Sequence, residues 1–164
     1  MTYLKKMNIS YRTDSTNLER DTFRNRCRLE LIPLLERNYN VNVKQSLVNL
    51  GRISTQNYNF LKSQADRVFK EVLLDKSGET DNVFREIVLD ITPLKKTPEI
   101  LQQIIIREVV TELGIPLKKF GHRQYNEIID LLQLEDKSLN RSINRYVDLR
   151  IHDNKLYLSR AKHH

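Results

Sequence analysis

The stretch 83–116, VFREIVLDITPLKKTPEILQQIIIREVVTELGIP, contains a change of period on which the fold turns. Val83 to Ile91 is rich in β-branched and aromatic residues and reads as a strand. Thr97-Pro98 then reads as a helix N-cap followed by proline at the first helical position. From Pro98 to Leu113, residues Ile100, Leu101, Ile104, Ile105, Val109 and Leu113 make a wide apolar stripe at helical spacing. Gly114 and Pro116 stop it.

Toward the C-terminus, Gly121-His122 opens a second helix with Tyr125, Ile128, Ile129 and Leu132 inward. The period then changes again. Val147, Leu149 and Ile151 alternate, as do Leu156 and Leu158, with Asp153-Asn154 as a turn between them, so a hairpin is expected. His163-His164 is read as the remnant of a purification tag, making 161–164 a tail.

Toward the N-terminus, a long helix starts at Lys44. Leu47, Leu50, Leu61, Ala65, Val68 and Val72 keep 3-and-4 spacing, and the pattern continues to Asp75 before Lys76-Ser77-Gly78 ends it. Such a stripe needs a partner. Asn38 to Asn42 reads as a turn and as the domain boundary. Before it, Thr16 and Glu19 form a capping box, and a helix is expected to run to about Glu30. Pro33 predicts a kink or a fresh helix start. Residues 1–13 read as the end of a helix and an extended segment with no sheet to join, which suggests a truncated start. The expected fold class is α+β: a mainly helical domain with a long helix, a helical pair and a small antiparallel β element.

Composition narrows the function classes. Hydrophobic residues make up 39% and charged residues 30% of 164, an ordinary globular balance. The net charge of +7 favours a polyanionic partner such as RNA or DNA, although basic domains with no such partner are also common. One cysteine, Cys27, can build neither a disulfide framework nor a thiolate zinc site, and a reducing cytoplasmic setting fits it. No apolar run approaches the ~20 residues of a membrane span. No Gly-Gly pair, P-loop or dinucleotide fingerprint occurs in the chain.

Arg20, Arg24 and Arg28 stand at i, i+4 and i+8, so one helix face carries three guanidiniums suited to phosphate. Phe23, Cys27 and Leu31 occupy the adjacent face and are expected to pack inward. A solvated cationic face paired with Glu19, Asp21 or Glu30 is the bland alternative. His122 reads as a surface residue at a helix start, and His152 has no second ligand nearby.

The order Asp14-Ser15-Thr16-Asn17, Phe23, Arg24-Asn25-Arg26-Cys27-Arg28 and Leu31-Ile32-Pro33-Leu34-Leu35 resembles a motif of tRNA(Ile)-lysidine synthetases. In that family it closes the PP-loop ATPase domain. The resemblance implies that residues 1–38 are the tail of that domain and 39–160 a central tRNA-holding domain. It implies that Asn17, Arg24, Asn25 and Arg28 lie at the junction of the ATP pocket and the tRNA path, with Asp14 and Ser15 serving as caps. Arg107, His122-Arg123-Gln124 and Leu156-Tyr157-Leu158 match the central domain. Arg20, Arg107, Lys118, Lys119, Arg123, Arg141 and Arg145, with Arg150 close by, are the expected tRNA contacts.

The whole enzyme, on this resemblance, uses ATP with Mg2+ to activate the wobble cytidine of tRNA(Ile) and then attaches lysine. The family's Ser-Gly-Gly-x-Asp-Ser loop is not in this chain, so neither catalysis nor ATP binding is expected of it alone. No membrane is expected as a partner, and a homodimer is possible through the apolar residues near Phe23 and Leu31. The competing expectation is a free-standing basic module that binds RNA or protein without catalysis.

Overall fold

The computed structural model describes residues 22–79, 83–134 and 138–161. The chain divides into two compact units that part between Gln56 and Asn57.

The first unit holds α1 (Phe23–Arg26), a π-helical turn (Cys27–Leu31), α2 (Ile32–Asn38) and the start of the long helix α3 (Val43–Val72). Thr22 is extended, and its side chain accepts a hydrogen bond from the Asn25 N–H, so α1 begins at Phe23. The Thr16 capping box lies outside the described residues, as do Asn17 and Arg20. Helix continues past the expected end at Glu30. The π turn explains how: Pro33 has no N–H to give Leu29 and its ring crowds that carbonyl, so the chain widens, with the Ile32 N–H reaching back to Cys27 O. Pro33 then sits in the first turn of α2, which is the fresh start that its presence predicts. A turn at 39–42 separates α2 from α3.

The second unit is a five-stranded antiparallel sheet with helices against it. Its strands are β1 (Leu73–Ser77), β2 (Glu86–Asp90), β3 (Ser138–Asn144), β4 (Val147–His152) and β5 (Lys155–Arg160), in the order β1-β2-β5-β4-β3. The fold class is α+β, as expected. Three elements correct the sequence reading. Residues 73–77 are a strand rather than the last turn of the long helix, because pairing Leu73 with Leu89 and Lys76 with Ile87 satisfies their backbone. A short helix α4 (Ile91–Lys96) follows the strand directly, capped by the Asp90 side chain. Thr97 ends α4, and α5 (Glu99–Glu112) is preceded by Pro98 in the cap position, so Thr97 is not its N-cap.

Helix α6 (His122–Gln133) follows a single 3-10 turn (Leu117–Lys119). The core lies between one sheet face and the helices. Ile87, Leu89, Leu149, Ile151, Leu156 and Leu158 meet Val72, Leu94, Ile105, Val109, Ile128 and Leu132. Gln102 is also buried, and its side-chain amide donates to Leu94 O (3.0 Å) and Thr97 O (2.7 Å), closing the end of α4. Gly114 ends α5 at φ +66, where a Cβ would fall 2.8 Å from Val83. Asp153 and Asn154 both have positive φ, the geometry of a tight hairpin turn. Asn154 also reaches across the chain: its amide donates to Asp90 Oδ1 (2.9 Å) and Thr92 Oγ1 (2.7 Å), and its carbonyl receives the Ile91 N–H (3.0 Å).

Candidate nucleic-acid interface

Charge is unevenly divided. Residues 1–56 carry ten Lys or Arg against five Asp or Glu, and the remainder eighteen against sixteen. Any polyanion site in the second unit therefore depends on where its cations gather, since their excess is small.

In the first unit Arg24 and Arg28 are exposed, while Asn25 is buried, its N–H 3.2 Å from Thr22 Oγ1. The expected inward packing of Phe23, Cys27 and Leu31 is not found. Phe23 is 78% and Leu31 47% exposed, and with Arg26, Cys27, Glu30 and Leu34 they line an open, largely apolar hollow. The residues do share one face, but nothing among the described residues covers it.

In the second unit the expected tRNA contacts fall into two groups. The first gathers where the 3-10 turn meets the β3–β4 turn. Asn144 does the joining: its amide donates to Lys119 O (3.4 Å), and its side-chain oxygen accepts from the N–H groups of Tyr146 (2.8 Å) and Val147 (3.1 Å). An asparagine that bonds the backbone two and three residues on fixes the turn. This sets exposed Lys118 and Lys119 beside exposed Arg145, whose guanidinium lies over the Tyr146 ring at 4.8 Å. Phe120, next in the chain, meets Tyr125 edge-on at 4.8 Å. Burial holds the Tyr125 phenol above its ordinary value, and Arg107 nearby pulls the other way. Among the described residues no carboxylate forms an ion pair with Arg107, Lys118, Lys119 or Arg145. Cations whose charge no carboxylate offsets are the ones able to replace counterions along a phosphate backbone.

The second group is electrostatically different. Arg123 and Arg141 line a shallow groove with Asn126, Glu127, Asp130, Leu131 and Leu134. Arg141 Nε lies 3.2 Å from Glu127 Oε1, and Asp130 adds a second negative charge. Arg150 is likewise engaged, stacked on Tyr157 at 4.0 Å and 3.8 Å from Glu86. Tyr146 and Asn144 escaped the sequence reading. The asparagine just before an Arg-Tyr pair, directly ahead of the alternation that begins at Val147, was the available signal.

His122 is exposed at the start of α6, and His152 Nε2 lies 3.3 Å from Asp153 Oδ2. Among the described residues no group of three or more His, Cys, Asp or Glu is arranged to hold a metal ion. Nor is any described helix long and apolar enough to cross a membrane.

No family model matches the chain. Known proteins do. A tRNA(Ile)-lysidine synthase of Clostridioides difficile is 34% identical over 70 residues, which is 43% of this chain and 15% of that protein. One of Clostridium perfringens is 25% identical over 142 residues, 87% of this chain and 28% of the relative. One of Caldanaerobacter subterraneus is 25% identical over 141 residues, 86% and 28%. The chain thus spans between 15% and 28% of the length of these curated relatives. The likeness read from the motif at 14–35 is borne out, and over most of its length this chain is similar to part of the tRNA(Ile)-lysidine synthases.

Proposed function

We propose that the chain is the tRNA-gripping part of a tRNA(Ile)-lysidine synthase. The observation that carries this reading is the match over 86–87% of the chain to parts of such enzymes. The whole protein, on this proposal, uses ATP and Mg2+ to join lysine to the wobble cytidine of tRNA(Ile) in the cytoplasm. The residues present do not fit ATP. The four glycines stand apart, at Gly51 within α3, at Gly78 and Gly114 in turns, and at Gly121 before α6, so no run of glycine backbone N–H groups exists to cradle a pyrophosphate. We therefore assign no chemical step to this chain.

Its share of the task is binding. Lys118, Lys119, Arg145 and Arg107 hold the sugar-phosphate backbone as the leading contact. Arg123 and Arg141 contribute less, since Glu127 and Asp130 offset them. Asn17, Arg20, Arg24, Asn25 and Arg28 act at the junction with the ATP-binding domain.

A salt titration of tRNA binding by this chain tests the reading. Each phosphate contact should add roughly 0.7–0.9 to the log–log slope. Changing Lys118, Lys119 and Arg145 together to Gln should lower that slope by roughly 2 to 2.7. Absence of tRNA binding at low salt would defeat the proposal and leave a protein-binding module.

A further inference from the structure

Among the described residues of the second unit two arginines lie over tyrosine rings, and they differ in whether a carboxylate offsets their charge. Arg150 lies over Tyr157 but is tied to Glu86. Arg145 lies over Tyr146 and donates to its hydroxyl, with no carboxylate partner among the described residues. Tyr146 packs against the hydrophobic core, so its ring is a fixed support. Asn144 holds the turn on one side and Lys119 O on the other, so the lysine loop stands at a set distance from the guanidinium. The result is a flat, exposed, positively charged plate beside two lysines.

A plate of this kind suits a base removed from its stack. Duplex RNA hides its base faces and offers phosphates, whose neutralisation needs positive charge but no stacking plane. An unpaired nucleotide offers a π-face and a flexible backbone, and it can lie on a guanidinium plane with its phosphates toward ammonium groups. We propose that Arg145, supported by Tyr146, is a stacking platform for an unpaired nucleotide of the bound RNA, with Lys118 and Lys119 holding the flanking phosphates. This rests on the RNA-binding reading given above and specifies which kind of RNA element that site takes.

The test compares two RNAs on the full chain: a blunt duplex and the same duplex extended by a single-stranded tail. The tailed RNA should bind about tenfold more tightly. Arg145→Lys keeps the charge and removes the plane, so it should abolish that preference while leaving the salt slope and the thermal transition unchanged. Arg150→Lys should leave the preference intact. Equal binding of the two RNAs, or a tail preference that survives Arg145→Lys, would overturn the platform and leave RNA binding standing. Failure of both RNAs to bind at low salt would remove the platform together with the RNA reading on which it rests.

Discussion

The two units use similar sequence patterns with opposite results. Leu61, Ala65, Val68 and Val72 keep a stripe along α3 that is covered by the sheet and helices of the second unit. The same stripe extends backward through Leu47 and Leu50, which are 48% and 60% exposed. Among the described residues every buried apolar side chain lies at Ala65 or beyond, and Asn25 is the one buried residue before it. Helical periodicity reports that a face exists. It does not report whether the covering surface belongs to the same stretch of chain.

The sharpest way to break this contrast is a pair of substitutions. Leu149→Ala in the sheet core should cost roughly 2–5 kcal/mol, whereas Leu47→Ala should cost under about 0.5. Urea unfolding followed by circular dichroism would measure both. A Leu47→Ala loss as large as that of Leu149→Ala would mean that the stripe is covered in solution. Gln102 offers an intermediate effect. Gln102→Leu keeps the bulk but strands the Thr97 carbonyl, while Leu94 O keeps the Thr97 N–H, at about 1–3 kcal/mol. A neutral result would show that α4 closes without this amide.

The smallest effect concerns the point where α3 meets α5. Lys62 pairs with Asp66 (3.1 Å) and Glu108 (3.2 Å), and its pKa is raised chiefly by the Asp66 bond. The Tyr125 pKa is raised by burial. In both cases the folded state holds its proton more tightly than the unfolded one. Their contributions are complete below the ordinary values of 10.0 and 10.5 and fall away as pH rises through the raised values. Stability should therefore decline at strongly alkaline pH. Lys62→Met should remove part of that slope and cost well under ~1 kcal/mol near neutrality, since the pair is substantially exposed. An unchanged alkaline limb in Lys62→Met would show that the pair adds nothing.

Elements with dense apolar patterning were legible in the sequence. Helix α5 with its stop at Gly114, helix α6 and the β4–β5 hairpin all stand as expected. The missed elements have a common cause. Strand β3 offers only Leu139 and Ile143 as apolar residues, and β1 continues the apolar run of the helix before it. Both are edge strands of the sheet, defined by a neighbour's hydrogen bonds more than by their own burial. Helix α4 was hidden by Pro93, which its first turn tolerates.

The candidate interface was legible as a set of cations and illegible as an arrangement. Lys119 and Asn144 meet across 25 residues, and Glu127 reaches Arg141 across the β3 edge. Those tertiary contacts separate the available cations from the neutralised ones, and local spacing carries no trace of them.

The Asn154 contacts have a consequence for how the sheet assembles. Three bonds from one hairpin tip land on Asp90, Ile91 and Thr92, more than 60 residues earlier. They can form together only when β5 lies against β2 in the native alignment, with Lys155 opposite Asp90. A slip of one residue would break all three and turn Leu156 and Leu158 to the wrong face. The tip thus discriminates between registers: its three bonds are open to the alignment that sets Lys155 opposite Asp90 and closed to its slipped neighbours.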